Sequence, residues 1–423
     1  MQSGEGIHPD MNLSVDVVSP RVLHIVTSSL TVALMRGQLR YLRERGFDVT
    51  VISSPGRWLG EVSAIQGART VEVPLAREIS PLKDLVSLWR LWRLIRSLRP
   101  TVTNVSTPKA GLLGGLAAWL NGVPCRVYTL RGLRFETTSG LRRRLLIFAE
   151  RLACRLAHCI ICVSESLREQ AVAFALTERK RTVVLGSGSS NGVDESRFAP
   201  TPDLLRRALE LRRTLRIPPE APVVGFVGRL TRDKGIPELV EAYSRLLVKY
   251  PSLRLLLVGG LEDDVAFPEE ICNRLEKDPN VILPGLVEDT APYYAIMDIL
   301  ALPTHREGFP NVSLEAHAAG KPVVAARVTG SVDAIVDGVT GFLFPVGSVT
   351  SLAEALERLL TDKTLAMRMG CAGRERVKRE FRQEQVWAAL CEEYLRLLQR
   401  KALPHPKISE PKHAPDFVSV RDE

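Results

Sequence analysis

Two glutamates with seven residues between them, Glu307 and Glu315, are the first candidates for chemistry in this chain; they lie in THREGFPNVSLEAHAAGK, residues 304–321. A carboxylate accepts hydrogen bonds from hydroxyl groups. Between the two lie Gly308, Phe309, Pro310, Asn311 and Val312, a loop running into a helix start. A helix start offers unpaired N–H groups and a positive dipole end, which suit a phosphate. Hydroxyl-rich groups on either side of a phosphate are the layout of a nucleotide-sugar. An ordinary strand-turn-helix unit with two surface glutamates has the same local pattern, so the context must decide.

The apolar run at 299–303 reads as a buried strand, Gly308 and Pro310 as loop breakers and Asn311 as the N-cap. The helix should end near Gly320, ahead of Lys321-Pro322. In open α/β sheets, ligands bind where strand C-termini feed helices. Arg229 and Lys234 follow another apolar strand, beginning at Pro222, so they should face the same crevice. Two cations there offset a diphosphate without a metal, and the chain has no D-x-D triplet. Glu262-Asp263-Asp264, the nearest acidic cluster, reads as a solvated loop. Arg306 is placed to pair with its neighbour Glu307. His305 and His317 have no identifiable partner, and His317 reads as structural.

Strands are expected at 21–27, 48–54, 71–73, 102–106, 126–130 and 158–163, with helices at 33–45, 81–98, 109–120, 141–156 and 164–175. Such alternation implies right-handed βαβ units and a parallel sheet. Asn191-Gly192 and a run of prolines mark a linker near 187–220, after which VVGFVG, LRLLLVG, VILPG, ILALP and PVVAAR open a second α/β unit. The expected organisation is a disordered lead at 1–20, one Rossmann-like domain at 21–200, a second at 201–375, a helix at 376–400 and a disordered tail at 401–423.

The 423 residues suffice for two full cores. No signal peptide is expected at 1–20, and the longest apolar stretch, 110–123, is too short to span a bilayer. Seven cysteines give no disulfide framework. Cys159 and Cys162 fall on a strand, where i and i+3 point to opposite faces. The formal charge of +9 is uneven. Residues 21–200 hold 27 Lys/Arg against 13 Asp/Glu, and residues 201–400 hold 26 against 28. The first half therefore needs an anionic partner.

Glu307-Gly308-Phe309-Pro310, Glu315-Ala316 and Ala319-Gly320-Lys321-Pro322-Val323-Val324 together resemble the donor-site signature of family 4 retaining glycosyltransferases of GT-B fold. Further matches follow in order: Asn191-Gly192-Val193-Asp194 with Phe198, Gly228-Arg229-Leu230 with Lys234-Gly235, Gly285, then Gly330, Asp333, Asp337-Gly338 and Thr340-Gly341. The resemblance covers about residues 21–400. It implies two Rossmann-like domains facing across a cleft, with the C-terminal helix crossing back to the first. It gives Glu315 the ribose hydroxyls, Glu307 a hydroxyl of the transferred sugar and the amides near Phe309–Val312 the phosphate oxygens. Gly228, Gly285 and Val287 would line the donor site, and Arg229 and Lys234 would stabilise the leaving diphosphate. The donor is expected to be a UDP-sugar carrying a hexose or N-acetylhexosamine, with no cofactor or metal.

Thr107-Pro108-Lys109-Ala110-Gly111 resembles an acceptor-side loop in enzymes that extend polyprenyl-diphosphate-linked saccharides, which makes Thr107 and Lys109 acceptor-binding candidates. Relatives carry a His near the end of the fifth strand, where this chain has Arg131. A UDP-sugar epimerase of the same architecture and a non-catalytic sugar-nucleotide-binding protein are the competing readings; the ordered motifs argue against the first, and Glu307, Glu315, Arg229 and Lys234 against the second.

Residues 141–156 form a helix with Arg144, Arg151 and Arg155 in one stripe, flanked by Ile147 and Phe148. Leu145, Ala149, Leu152 and Leu156 should form its core face. A second helix carries Lys83, Arg90 and Arg93 on one arc beside Trp89. Basic faces with apolar neighbours suit an anionic bilayer, so a cytoplasmic protein, peripheral on the membrane through its first domain, is expected. No nucleic-acid motif is present.

Overall fold

Runs such as RVLHI, VVGFV and RLLLV are apolar on both faces of a strand, so each must lie inside a sheet covered on both sides. In the computed structural model, which describes residues 19–76, 80–261 and 267–406, they do. Strands β1 (Arg21–Ile25), β2 (Asp48–Ser53), β3 (Arg69–Glu72), β4 (Val102–Ser106), β5 (Cys125–Leu130), β6 (Cys159–Cys162) and β7 (Thr182–Val184) form one sheet, ordered β3-β2-β1-β4-β5-β6-β7. Strands β8 (Val223–Val227), β9 (Arg254–Val258), β10 (Val281–Gly285), β11 (Ile299–Leu302), β12 (Val323–Ala326) and β13 (Gly341–Phe344) form a second, ordered β10-β9-β8-β11-β12-β13. Every pairing is parallel.

Each order reverses once, between β1 and β4 and between β8 and β11, and such reversals open a crevice at the strand C-termini. The loops there hold Thr27 and Thr107 on one sheet, and Gly228–Lys234 with Thr304–Pro310 on the other. Helices Gln383–Arg400 and Gln38–Glu44 pack together on the first sheet, where Leu390, Tyr394 and Leu398 are buried with Val22, Val49 and Val127.

Several elements differ from expectation. The helix expected at 33–45 is two, Ser29–Ala33 and Gln38–Glu44, because the chain turns at Gly37 with φ +85°; a Cβ there would lie 2.3 Å from the Trp387 ring. The expected linker contains a helix, Pro202–Thr214, started by the Thr201 side chain, which accepts from the Leu204 amide, and packed on Ala291–Ile296. Strands β7 and β13 had no strong apolar signature. Asn311 is not the N-cap: Pro310 holds that position, and the Asn311 amide bonds Ser189 and Ser190. On helix Gly140–Leu156 the core face is Glu150, Ala153, Cys154 and Leu156, whereas Leu145 is exposed. Arg151 is not part of a free stripe, since it donates to the carbonyls of Phe174 and Ala175. Residues 1–18 and 407–423, within the expected lead and tail, and the acidic cluster Glu262-Asp263-Asp264 lie outside the described residues. Among the described residues no helix is long and apolar enough to cross a membrane.

Candidate active site

The loop after β8 and the loop after β11 lie side by side because their strands are neighbours, and Asp233 joins them. Its carbonyl accepts from the His305 amide and the Thr304 hydroxyl, and its carboxylate from Thr231 and Arg306. Burial alone would raise the Asp233 pKa; the Thr231 hydroxyl and the charges of Arg306, Arg229 and Lys234 outweigh it, and the pKa falls below the usual carboxylate value. Arg306 therefore serves Asp233, at 3.0 Å, and not Glu307. Glu307 pairs with Lys234, both side chains being mostly buried. His305 has a partner too, Glu238 at 2.7 Å, and His317 is a core residue whose Nε2 meets the Thr340 carbonyl at 3.1 Å.

Helix Asn311–Ala318 carries Glu315 on its second turn. Burial raises the Glu315 pKa above the ordinary carboxylate value, while Tyr294, the charge of Arg197 and Thr290 hold it back. Arg197 itself pairs with Asp289 at 3.3 Å, and Asp289 also holds Arg207 and the Ala291 amide. Gly228 follows β8 and Gly285 ends β10 beside this region, with Val287 partly buried just beyond. Between them Gly259 is required: a Cβ there would lie 1.8 Å from the Gly228 carbonyl oxygen. Arg229, Lys234, Glu307, Glu315 and residues 308–312 thus share the C-terminal edge of one sheet.

The first sheet closes over that edge. A Cβ on Gly308 would lie 1.9 Å from the Arg131 carbonyl oxygen, so only glycine permits the contact. The Gly308 carbonyl accepts from Ser164 Oγ at 2.8 Å, Ser166 meets Asp333 and the Gly330 amide, and Thr329 donates to Glu136 at 3.0 Å. Phe309 packs against Phe381, the rings tilted by 50° with centroids 5.5 Å apart. Sequence reasoning named Gly308, Phe309, Gly330 and Asp333 but missed their partners Ser164 and Ser166 and the Thr329–Glu136 pair; a Ser-x-Ser after an apolar run says nothing about a partner 167 positions away.

Arg131 enters from β5. Its guanidinium is buried, with Nε and Nη1 lacking hydrogen-bond partners, and burial lowers its pKa to about 10. His24, below it on β1, is buried with both ring nitrogens unpartnered; burial first, then the Arg131 charge, lowers its pKa to about 3. Asn104 accepts from Thr129 and donates to Tyr394 on the same face. Thr107 has φ +77°, rare for a non-glycine, and shares a 2.5 Å hydrogen bond with Thr27. Lys109 is held by Asp84 at 2.7 Å, so its charge is already partly met.

Residues 208–376 match the model of "Glycosyl transferases group 1", and residues 32–188 that of "Glycosyl transferase 4-like domain". The chain is 36% identical over 370 residues to a capsular polysaccharide biosynthesis glycosyltransferase, CapM, of Staphylococcus aureus, covering 88% of this chain and 95% of that one. It is 28% identical to a UDP-Gal:α-D-GlcNAc-diphosphoundecaprenol α-1,3-galactosyltransferase of Escherichia coli, covering 82% of this chain and 89% of that one. Among solved structures, HepE of Anabaena in complex with UDP and glucose superposes with a TM-score of 0.75 at 19% identity, over 89% of this chain and 100% of that one.

Proposed function

The chain belongs to the group 1 glycosyl transferases and has the GT-B fold, and from that premise we propose that it transfers a hexose or N-acetylhexosamine from a UDP-sugar to a polyprenyl-diphosphate-linked saccharide in capsular or other surface polysaccharide assembly, with retention and without a metal. The observation that carries this reading is the Lys234–Glu307 pair beside the start of helix Asn311–Ala318, with Glu315 on the same helix and Arg131-Gly132 packed opposite. In this reading Glu315 receives the ribose hydroxyls. Arg229, Lys234 and the amides of the helix start receive the diphosphate, and Glu307 positions a sugar hydroxyl. The sugar–phosphate bond breaks as the acceptor oxygen bonds the same face of the anomeric carbon, and the leaving phosphate oxygen takes the acceptor proton. That route needs no strong protein base, and preorganised charge supplies most of the rate.

The acceptor side is Thr107, Lys109 and Arg131, on the first sheet. Helices Pro81–Leu98, Pro108–Leu120 and Gly140–Leu156 pack side by side over that sheet. Their outer side exposes Leu82, Leu85, Trp89, Trp119, Leu141, Leu145 and Phe148 among Lys83, Arg90, Arg93, Arg144 and Arg155. Apolar and cationic groups on one face support peripheral attachment to an anionic bilayer at its cytoplasmic face, where a lipid-linked acceptor resides.

The test is incubation with labelled UDP-sugars and a saccharide-diphospho-lipid. A glycosylated lipid supports the proposal. An epimerised donor would make the protein an epimerase, and UDP binding with neither product would make it a binding protein.

A further inference from the structure

Beside the acceptor-side loops the first domain holds a cavity of about 510 Å³, within the roughly 300–1,000 Å³ range of small-molecule sites. It lies between the C-terminal ends of β2 and β3 and the first turns of helix Pro81–Leu98. Its walls are largely apolar, built from Pro74, Leu75, Leu82 and Val86, and Lys83 and Arg90 also line it. Ser87 fixes the wall by donating to the Pro74 carbonyl at 2.8 Å, so helix and strand end are tied together. Both cations are exposed, and among the described residues neither pairs with a carboxylate. Asp84, next to Lys83, is engaged elsewhere: it accepts from Lys109 at 2.7 Å and from the Ser80 amide at 3.1 Å.

That ion pair relates the cavity's helix to the cleft. Lys109 lies two residues beyond Thr107, whose hydroxyl meets Thr27 at the reversal of the first sheet. The helix that walls the cavity is therefore tied to the cleft-side loop through Asp84–Lys109. On its other side the cavity borders the exposed apolar face, where Leu82 is 82% exposed. An apolar trough with two cations that meet no carboxylate among the described residues suits one molecule carrying both an apolar chain and a phosphate. A soluble sugar phosphate leaves the apolar walls uncovered, and a membrane surface cannot enter a recess.

We propose that this cavity receives the first, phosphate-proximal isoprenoid units of the lipid acceptor, with Lys83 and Arg90 meeting its diphosphate. This rests on the transferase reading above and adds a lipid-chain subsite to it. The cavity would orient the acceptor by its lipid end, so the saccharide end is presented to the cleft at a fixed reach.

The test uses the full-length protein and calorimetric titration with geranylgeranyl diphosphate, inorganic diphosphate and UDP. Wild type should bind geranylgeranyl diphosphate at least roughly tenfold tighter than inorganic diphosphate, the ratio that burying about two methylene groups provides. Val86→Trp, which fills the cavity from a half-exposed position, should erase that difference and leave UDP affinity unchanged. Leu82→Asp, at an almost fully exposed position, should do the same and guards against misfolding of the first variant. Lys83→Gln with Arg90→Gln should weaken both diphosphates together. Equal affinity of wild type for the two diphosphates, or an undiminished preference in Val86→Trp and Leu82→Asp, overturns the cavity assignment. UDP reports the transferase reading separately: UDP binding without an isoprenoid preference removes the cavity and leaves the transferase, whereas a protein that binds no UDP removes the donor site.

Discussion

The division of labour between the two glutamates yields opposite outcomes for UDP. Glu315 is partly buried beside Tyr294 and Thr290, so it can meet the ribose with few competing waters. Hydrogen bonds to a charged group are each worth about 1.5–3 kcal/mol, and one or two are lost in Glu315→Ala. The same change takes from the buried Tyr294 hydroxyl the carboxylate that it faces. UDP affinity should fall on the order of a hundredfold, about 3 kcal/mol. Glu307 faces Lys234, with side chains 16% and 20% exposed. Glu307→Ala removes a negative charge beside the expected diphosphate and frees the Lys234 ammonium. Coulomb attraction at contact lies between about 1 kcal/mol in water and about 4 at a protein surface, and partial exposure places this pair toward the lower end. UDP affinity should therefore hold or rise severalfold in Glu307→Ala, while sugar transfer falls. Calorimetric titration at fixed ionic strength, paired with a transfer assay, measures both. If both variants lose UDP equally, Glu307 contacts the nucleotide and the assignment of roles is wrong.

Three further outcomes follow from the same geometry. Arg229→Ala and Lys234→Ala should each cost on the order of 2–4 kcal/mol in kcat/KM, as removal of an oxyanion donor does, and transfer should survive EDTA; full activity in either variant removes that residue from the site, and loss with chelator refutes metal independence. Arg131→Ala should lower turnover far more than UDP affinity, with partial recovery in Arg131→His, and its urea midpoint should not drop, because a buried cation without a carboxylate contributes little to folding; wild-type turnover would show that Arg131 is not on the acceptor side. Glu150 is buried, accepts from Tyr128 at 2.7 Å and has its pKa raised to about 7, chiefly by burial. Since the unfolded carboxyl titrates near 4.5, its contribution to stability is complete below that pH and is lost as pH rises to about 7, a change of about 3 kcal/mol. Glu150→Gln should remove that slope, and an unchanged slope in urea titrations across pH 4–8 would show that Glu150 does not cause it.

What could be read from the sequence was whatever depends on contiguous residues. Strands buried on both faces announce themselves as apolar runs, so β1, β8, β9 and β11 were legible. Each loop that brings Arg229, Lys234 or Glu307 forward is adjacent to such a run. Strands β7 and β13 were not, because TVV and GFLF are short edge strands, three and four residues long, with partly exposed side chains. The helix Gly140–Leu156 shows the limit of periodicity. Its apolar arc of Leu145, Ala149, Leu152 and Leu156 predicts the core face, yet the buried face includes Glu150, which pairs with Tyr128 from a strand twenty-two residues earlier. Pairing within the site was legible only where charge left a single option. Arg306 had two carboxylates in reach, Glu307 by sequence and Asp233 by fold, and the adjacency of β8 and β11 decided for Asp233. Contacts such as Ser166–Asp333 and Asn311–Ser189 arise only after both sheets exist.

The membrane face has to be tested on the residues that the fold leaves outside. Arg151 is excluded, because replacing it breaks bonds to the Phe174 and Ala175 carbonyls and would confound attachment with stability. Arg144 and Arg155 remain exposed on the same helix, with Leu141, Leu145 and Phe148 alongside. Each cation near an anionic surface contributes about 1 kcal/mol, so Arg144→Gln with Arg155→Gln should weaken binding to anionic liposomes by about 2 kcal/mol. The Debye length is about 8 Å at physiological salt, so raising salt should remove the same component from wild type. The apolar component behaves differently: complete burial of a Leu or Phe is worth about 1.5–3 kcal/mol, and shallow insertion yields part of that. Leu141→Ser, Leu145→Ser and Phe148→Ser together should therefore abolish the binding that persists in high salt while leaving UDP affinity intact, since these residues lie on the other domain. Co-sedimentation with phosphatidylglycerol and phosphatidylcholine vesicles at two salt concentrations separates the two components. Equal sedimentation of wild type and both variants under all four conditions would leave this face with no role in attachment, and the lipid acceptor would then have to reach the cleft by another side of the domain.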